Sequence, residues 1–202
     1  MTEKITGIIL AGGQSKRMGT DKGLIGLSGK PLISYAIDTL SGICGEILIS
    51  ANDDAYNSFG LKVVPDLMTG QGPMGGIYSC MKAVKTKYVI VLSCDMPFVD
   101  KQIIDLLLTG KNDYQAVLPG HKGFMQPVCA LYNSEILPII EQHLFSGKLK
   151  LAGFIEMLNH KIVEISLEDE YKLLSINTKS ELLEAERMIL NLKMKSEKKD
   201  ID

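Results

Sequence analysis

An apolar run near the start of the chain that stops abruptly at glycines is the feature that most constrains the fold. Residues Ile5–Leu10 are mostly apolar and lack the alternation of a half-exposed strand, and Ala11-Gly12-Gly13 follows directly. Such a run suits a buried strand of a parallel sheet, because these strands are covered on both faces. The glycines then place a loop at the carboxyl end of the strand, where open α/β sheets bind ligands.

Strands and helices are predicted to alternate along the rest of the chain. The further predicted strands are 46–50, 61–64, 88–93, 116–118, 128–132 and 161–165. Helices are predicted from Pro31 to about Leu40, from the glycine-rich segment 70–76 to about Val84, after Asp100, and at 133–145, 149–158 and 179–190. The pattern predicts one three-layer α/β domain over residues 1–192, with a mostly parallel mixed sheet whose strands at 116–118 and 128–132 are antiparallel. A charged, frayed tail is expected at 193–202.

Charge and cysteine spacing exclude several classes of protein. The formal net charge is −2 and 23% of the residues are charged, which argues against a broadly basic nucleic-acid surface and against an acidic disordered chain. The four cysteines include no C-x-x-C pair, so neither a zinc site nor a disulfide framework is indicated. The apolar run at 5–11 is too short to span a membrane. We therefore expect a cytoplasmic protein without nucleic-acid or membrane partners.

Basic side chains accompany the first glycines. The segment 10–22 reads LAGGQSKRMGTDK and contains Lys16, Arg17 and Lys22. Glycines let backbone N–H groups approach phosphate oxygens, and the basic side chains can neutralise a triphosphate. The spacing matches neither G-x-x-x-x-G-K nor G-x-G-x-x-G. The loop therefore predicts a polyphosphate site of another kind, and a surface turn with solvated lysines is the alternative.

A carboxylate is predicted at the same edge of the sheet. The strand at 88–93 leads into Cys94-Asp95-Met96-Pro97-Phe98. An acidic side chain beside a triphosphate is explained by Mg²⁺, which takes one or two carboxylates together with waters and phosphate oxygens. Asp95 is therefore the candidate magnesium ligand. The alternative is that Asp95 only caps a turn before Pro97, and Cys94 is expected to be a small packing residue.

Three segments carry a resemblance to a known family. They are L-A-G-G-x-S-x-R-M-G-x-D-K from Leu10, P-D-x-x-x-G-x-G-P-x-G-G-I from Pro65, and C-D-M-P-F from Cys94. They resemble the nucleotidyltransferases related to the molybdenum cofactor guanylyltransferase. The resemblance implies a Rossmann-like nucleotidyltransferase fold and a magnesium-dependent, GTP-binding transferase of molybdenum cofactor biosynthesis.

The resemblance assigns nucleotide contacts to Leu10, Ala11, Gly12, Gly13, Lys22, Asn52, Asp66 and Asp95. It implies that Arg17 and Lys22 hold the departing pyrophosphate, and that Asp95 joins the metal to the phosphates. These three residues form the expected catalytic set. Asp66 is assigned to the guanosine site, and a carboxylate is suited to this role because it can accept the ring N–H and the exocyclic amine of guanine. Alternatively, Asp66 belongs to a structural loop and bonds to its own backbone, and Asn52 is an ordinary turn asparagine.

The acceptor side has weaker motifs. Gln126 and Asn177 offer amide groups for a pterin, and His121 and Lys122 could contact its phosphate. Family members often have N-x-N-T where this chain has Ser175-Ile176-Asn177-Thr178, so Ser175 departs from the family pattern. Plain turns, and a helix cap at Asn177-Thr178, are the alternatives.

The expected reaction is attack by the phosphate of molybdenum-molybdopterin on the α-phosphorus of GTP, which gives molybdopterin guanine dinucleotide and pyrophosphate. Proteins that deliver molybdopterin and molybdoenzymes that receive the product are further candidate partners. One alternative is a cytidylyltransferase or another nucleotidyltransferase with a phosphorylated acceptor. A second is a catalytically inactive nucleotide-binding regulatory or carrier module.

Overall fold

The computed structural model describes residues 4–12 and 21–199, with the backbone alone for residues 195–199. The strands are β1 (Ile5–Leu10), β2 (Gly26–Leu27), β3 (Lys30–Pro31), β4 (Glu46–Ser50), β5 (Lys62–Val64), β6 (Tyr88–Ser93), β7 (Ala116–His121), β8 (Phe124–Met125), β9 (Cys129–Asn133) and β10 (His160–Glu164). The α-helices are α1 (Leu32–Ser41), α2 (Gly72–Ala83), α3 (Lys101–Leu108), α4 (Leu137–Phe145), α5 (Leu151–Ile155) and α6 (Lys179–Lys199). Short 3₁₀ helices occupy Lys22–Leu24, Asp54–Phe59, Ser134–Ile136 and Leu167–Leu173.

The main sheet has the strand order β10-β7-β9-β6-β1-β4-β5, and β8 pairs with β7. Strands β5, β4, β1 and β6 run parallel to one another, and β10 is parallel to β7. Strand β9 is antiparallel to both β6 and β7. The predictions of a mostly parallel mixed sheet and of antiparallel pairing in this region are therefore confirmed.

Apolar side chains cover both faces of the sheet. Ile9 on β1 packs in a cluster with residues of α1 and α3, whereas its neighbours Ile8 and Leu10 pack in a second cluster with residues of α2, α4 and α5. This arrangement follows from the geometry of a strand, in which successive side chains point to opposite faces. The predicted three-layer α/β domain is confirmed. A smaller cluster joins α6 to the β2–β3 hairpin and α1.

The boundaries of the last elements differ from the prediction. Helix α5 is shorter than the predicted 149–158, because i→i+3 bonds from Met157 to Phe154 and from Leu158 to Ile155 follow it and end in the turn before β10. Helix α6 continues past the predicted end at 190 to Lys199 through residues of high helix propensity. None of the helices within the described residues is long and apolar enough to cross a bilayer.

Candidate active site

The candidate site lies where β1 and β6 end side by side. Leu10 is aligned with Ser93 on β6 and with Ser50 on β4. Beyond the strands, the N–H of Cys94 donates to the carbonyl of Leu10 at 3.0 Å. Because β4 follows on one side of β1 and β6 lies on the other, this is a topological switch point, and the diverging connections leave a crevice that ligands occupy in α/β sheets.

A pocket of about 280 Å³ opens at this crevice. Six residues predicted to contact the nucleotide line it: Leu10, Ala11, Gly12, Lys22, Asp66 and Asp95. The structure thus brings together side chains from the ends of β1, β5 and β6. Two further predictions, Gly13 and Arg17, fall on residues outside the described part of the chain.

Asp95 sits at the end of β6 between two donors. The hydroxyl of Ser93 donates to its Oδ1 at 2.7 Å, and the ammonium of Lys22 lies 3.1 Å from its Oδ2. The side chains of Asp95 and Lys22 are 13% and 25% exposed, so the ion pair is largely shielded from solvent yet reachable from the pocket. The carboxylate is therefore held in one orientation. No cluster of three or more His, Cys, Asp or Glu suited to a metal is found within residues 4–12 and 21–199.

Asn177 completes a cluster with Lys22 and Asp95. Its side-chain oxygen accepts a hydrogen bond from the Lys22 ammonium, and the N–H of Ile176 donates to the backbone carbonyl of Asp95 at 2.8 Å. The segment before α6 is thereby attached to the end of β6. The sequence indicated a polar role for Asn177, but its contact with Lys22 across 155 positions had no sequence signal.

The helix cap that was the alternative for Asn177-Thr178 is also present, at Thr178. The hydroxyl of Thr178 accepts from the N–H of Glu181 at 3.2 Å, and the Glu181 carboxylate accepts from the N–H groups of Asn177 and Thr178 at 2.6 and 3.0 Å. This reciprocal arrangement is a capping box, which stabilises the first turn of α6. The cap and the site therefore use adjacent residues, with the Asn177 side chain directed to Lys22.

Asp66 and Asn52 form a reciprocal pair at the ends of β5 and β4. The amide of Asn52 donates to Asp66 Oδ2 at 3.1 Å, and the N–H of Asp66 donates to Asn52 Oδ1 at 2.8 Å. Asp66 lines the pocket, whereas Asn52, predicted to contact the nucleotide, is not among the lining residues and donates to the Asp66 carboxylate. The described hydrogen-bond partner of the Asp66 carboxylate is thus Asn52, on a neighbouring strand connection.

The start of α2 forms another wall of the pocket. Gly72 and Pro73, in its first turn, line the cavity together with Gly76. A β-carbon at Gly76 would lie 2.4 Å from the Ser50 hydroxyl, so the helix approaches the end of β4 more closely than alanine would permit. The N–H groups of a helix N-terminus carry partial positive charge, which suits an electron-rich ligand group.

The residues predicted on the acceptor side do not all lie near the pocket. Gln126 precedes β9 at the same edge of the sheet, and its side-chain amide lies 3.5 Å from the carbonyl of Leu173. His121 Nδ1 lies 2.9 Å from the carbonyl of Ile165, and the N–H of Lys122 donates to Glu164. The structure thus engages His121 with the chain after β10 and does not place it in the pocket lining.

Cys94 is buried in the core beside Asp95. Burial raises the pKa of its thiol above the ordinary range, and the neighbouring carboxylate of Asp95 adds to the shift. The side chain is therefore a neutral thiol. Its prediction as a packing residue is confirmed.

The chain is similar in sequence to known proteins. The sequence profile of the MobA-like NTP transferase domain matches residues 7–162. A molybdenum cofactor guanylyltransferase of Yersinia pseudotuberculosis is 35% identical over 170 residues, which cover 82% of this chain and 87% of the relative.

Two crystal structures show the same fold. A molybdopterin-guanine dinucleotide biosynthesis protein A from Archaeoglobus fulgidus superposes with a TM-score of 0.79 at 23% identity, covering 92% of this chain and 99% of the other. A 4-diphosphocytidyl-2C-methyl-D-erythritol synthase from Anaerococcus prevotii gives 0.75 at 17% identity, covering 93% and 96%. The predicted nucleotidyltransferase fold is confirmed.

Proposed function

The chain belongs to the MobA-like NTP transferase family, and from this premise we propose that it transfers the guanylyl group of GTP to the phosphate of molybdenum-molybdopterin. The products are molybdopterin guanine dinucleotide and pyrophosphate. The observation that carries the proposal is the convergence of Lys22 and Asp95 at the pocket where β1 and β6 end, with Asn177 bonded to the Lys22 ammonium. The relative with 35% identity, named for this reaction, supports the choice of base and acceptor.

The bond changes follow an in-line displacement. An oxygen of the acceptor phosphate attacks the α-phosphorus of GTP, and the bond from that phosphorus to the bridging oxygen of the β-phosphate breaks. The acceptor phosphate is already anionic, so no side chain has to remove a proton. The protein instead has to hold two anions in line and reduce their repulsion.

The positions of Lys22 and Asn177 support a role for both in that task. The Lys22 ammonium lies at the pocket and is held by the Asp95 carboxylate and the Asn177 amide oxygen. We propose that it turns toward the β- and γ-phosphates when the nucleotide binds and stabilises the charge of the departing pyrophosphate. Asn177 and Gln126 are proposed to contact the pterin on the side of the pocket next to the segment that precedes α6.

The Asp95 carboxylate fits magnesium. It offers hard oxygen ligands in the pocket, oriented by the Ser93 hydroxyl, and Mg²⁺ characteristically combines one or two carboxylates with waters and phosphate oxygens. When bound, magnesium would withdraw charge from the phosphates and make the α-phosphorus easier to attack. We propose Asp95 as the protein ligand.

Asp66 is the proposed determinant of base choice. The Asn52 amide donates to the Asp66 carboxylate and accepts from the Asp66 N–H. This pair holds the carboxylate at the pocket wall, where it can accept both donors on one edge of guanine. Adenine presents an acceptor nitrogen in place of the ring N–H, which would face the carboxylate unpaired. A rigid carboxylate therefore discriminates between the purines.

Replacing Asp66 with asparagine tests this assignment. We expect kcat/KM for GTP to fall about 10- to 100-fold, the effect of losing a hydrogen bond to a charged group, while the low activity with ATP changes little. Steady-state kinetics with GTP, ATP and CTP measure the change. The matched control is Asp105→Asn, on the exposed face of α3, which should leave all three values unchanged. Equal losses for every nucleotide would contradict a role in base selection.

The reaction itself is tested by identifying the product. We expect the purified chain, supplied with Mg²⁺ and molybdopterin, to form the guanine dinucleotide from GTP, with one pyrophosphate released per product, as measured by mass spectrometry. Formation of the cytosine dinucleotide from CTP instead would favour the cytidylyltransferase alternative. Tight GTP binding without transfer to any phosphorylated pterin would favour the inactive binding module.

We further propose a cytoplasmic location and contact with proteins that supply molybdopterin or accept the product. The four cysteines are free thiols, and three of them are buried, as suits a reducing compartment. Transfer of the pterin directly between proteins would protect it from solvent.

A further inference from the structure

A single buried hydroxyl contacts two residues that flank the predicted glycine-rich loop. Tyr56 lies in the 3₁₀ helix Asp54–Phe59 and is fully buried. Its hydroxyl oxygen lies 3.0 Å from the carbonyl oxygen of Ala11 and contacts Asp21 Oδ1 more closely. Ala11 and Asp21 flank the segment 12–20. The tyrosine therefore contacts the chain just before and just after the loop that is proposed to receive the triphosphate.

The position of this hydroxyl is tightly defined by its surroundings. Asp21 Oδ1 also accepts from the N–H of Gly23 at 3.3 Å, and a β-carbon at Gly23 would lie 2.5 Å from the Tyr56 hydroxyl. The ring of Tyr56 packs against Phe59, with the ring centroids 6.2 Å apart. Burial raises the pKa of Tyr56 and its hydrogen bond with Asp21 raises it further, so the hydroxyl stays protonated and donates. A glycine is thus needed at position 23 for the contact to exist.

The anchored end of the loop leads directly to Lys22. Asp21 caps the 3₁₀ helix Lys22–Leu24, and the Lys22 ammonium extends from it to Asp95 and Asn177. Holding Asp21 therefore sets the point from which the Lys22 side chain starts.

We propose that Tyr56 is a positioning residue for the transfer reaction: its one O–H, beside the Ala11 carbonyl, donates to Asp21 and thereby sets the approach of Lys22 to the triphosphate. The inference rests on the proposed function only in that the pocket binds a nucleoside triphosphate. It is independent of the base and of the acceptor. A tyrosine that merely filled the core would affect stability without distinguishing the two substrates.

Tyr56→Phe removes the hydroxyl and keeps the ring. We expect a fall of about 10- to 100-fold in kcat/KM for GTP, the range for a lost hydrogen bond to a charged group, with the KM for molybdopterin unchanged. Binding of GTP with Mg²⁺, measured by calorimetry, should weaken in parallel. The matched control is Tyr88→Phe, because Tyr88 is equally buried and its hydroxyl bonds to Asn112 at 3.3 Å, but it lies at the opposite end of β6. This control should keep the wild-type kinetics.

A double-mutant cycle shows whether Tyr56 acts through Asp21. Asp21→Ala removes the acceptor, so adding Tyr56→Phe to it should cost little more than Asp21→Ala alone. Asp21→Asn retains an acceptor oxygen for Tyr56 and Gly23 and should be milder. Thermal unfolding of each variant separates a loss of folded protein from a loss of nucleotide affinity.

Three results would overturn the inference: wild-type GTP kinetics in Tyr56→Phe, equal losses for GTP and molybdopterin, or full additivity with Asp21→Ala. A wild-type chain that binds GTP with Mg²⁺ but gives no product with molybdopterin would reject the proposed function and still permit the test of Tyr56 by nucleotide binding. A chain that binds no nucleoside triphosphate would contradict both.

Discussion

Replacing Asp95 with asparagine is expected to lower the rate of guanylyl transfer by about 100- to 1,000-fold, the loss that follows removal of one preorganised electrostatic group from an active site. Asparagine keeps the size of the side chain and can keep an acceptor for the Ser93 hydroxyl. It removes the charge that faces Lys22 and the proposed magnesium. Single-turnover rates with GTP and molybdopterin at several Mg²⁺ concentrations measure the effect.

The dependence on Mg²⁺ separates this loss from general damage to the Asp95 variant. We expect the Mg²⁺ concentration for half-maximal rate to rise, because the remaining ligands hold the ion less strongly. Binding of GTP without a divalent ion should be unchanged or tighter, since one negative charge beside the triphosphate is gone. The control Asp105→Asn, which breaks a surface pair with Lys101 at 2.6 Å, should retain full activity. A folded Asp95→Asn protein with wild-type rate and Mg²⁺ dependence would reject the assignment.

Lys22→Ala should lower transfer by a similar factor, about 100- to 1,000-fold, because a positioned cation stabilises the charge that develops on the leaving pyrophosphate. The affinity for GTP should also fall, since the ammonium lies at the pocket before the nucleotide binds. Lys22→Arg is expected to recover only part of the rate, because the planar guanidinium does not reproduce the compact ammonium between Asp95 and Asn177. Calorimetry and single-turnover kinetics give the two quantities separately.

Binding of a metal ion in the absence of nucleotide tests independently whether Lys22 pairs with the carboxylate of Asp95. Its ammonium pairs with Asp95 at 3.1 Å, so its removal leaves that carboxylate available to a cation. We expect Mn²⁺ to bind the nucleotide-free Lys22→Ala protein more tightly than the wild type, as followed by electron paramagnetic resonance. Lys101→Ala, on the surface of α3, is the matched control and should change neither transfer nor Mn²⁺ binding. Weaker Mn²⁺ binding together with normal transfer would show that Lys22 has neither role.

The sites at the strand ends were predictable because of a general property of parallel sheets. Leu10 and Ser93 end adjacent parallel strands, and the carboxyl ends of such strands meet at one edge. The sequence contains two buried apolar runs, each followed by a polar or glycine-rich segment. This pattern was enough to expect Gly12 and Asp95 in one pocket, and both line it. The resemblance to a family added the expected roles of these residues.

Other contacts at the site had no local signal. The resemblance assigned Asn52 to the nucleotide, with an ordinary turn residue as the alternative, and only the pairing of β4 with β5 brings its amide against Asp66. His121 had the chemistry for a phosphate contact, but the pairing of β7 with β10 directs its ring to the carbonyl of Ile165. Both outcomes depend on which strands become neighbours.

By itself, the sequence determined the alternation of strands and helices, the burial of the central strands, and which loops carry glycines, basic side chains or carboxylates. The periodicity of apolar residues and the positions of glycine encode these properties, and both can be read from a few neighbouring residues. The tertiary structure alone decided that Tyr56 reaches both Ala11 and Asp21, and that Asn177 reaches Lys22. Contacts between residues so far apart in the chain depend on how whole elements pack against one another, which no local pattern specifies.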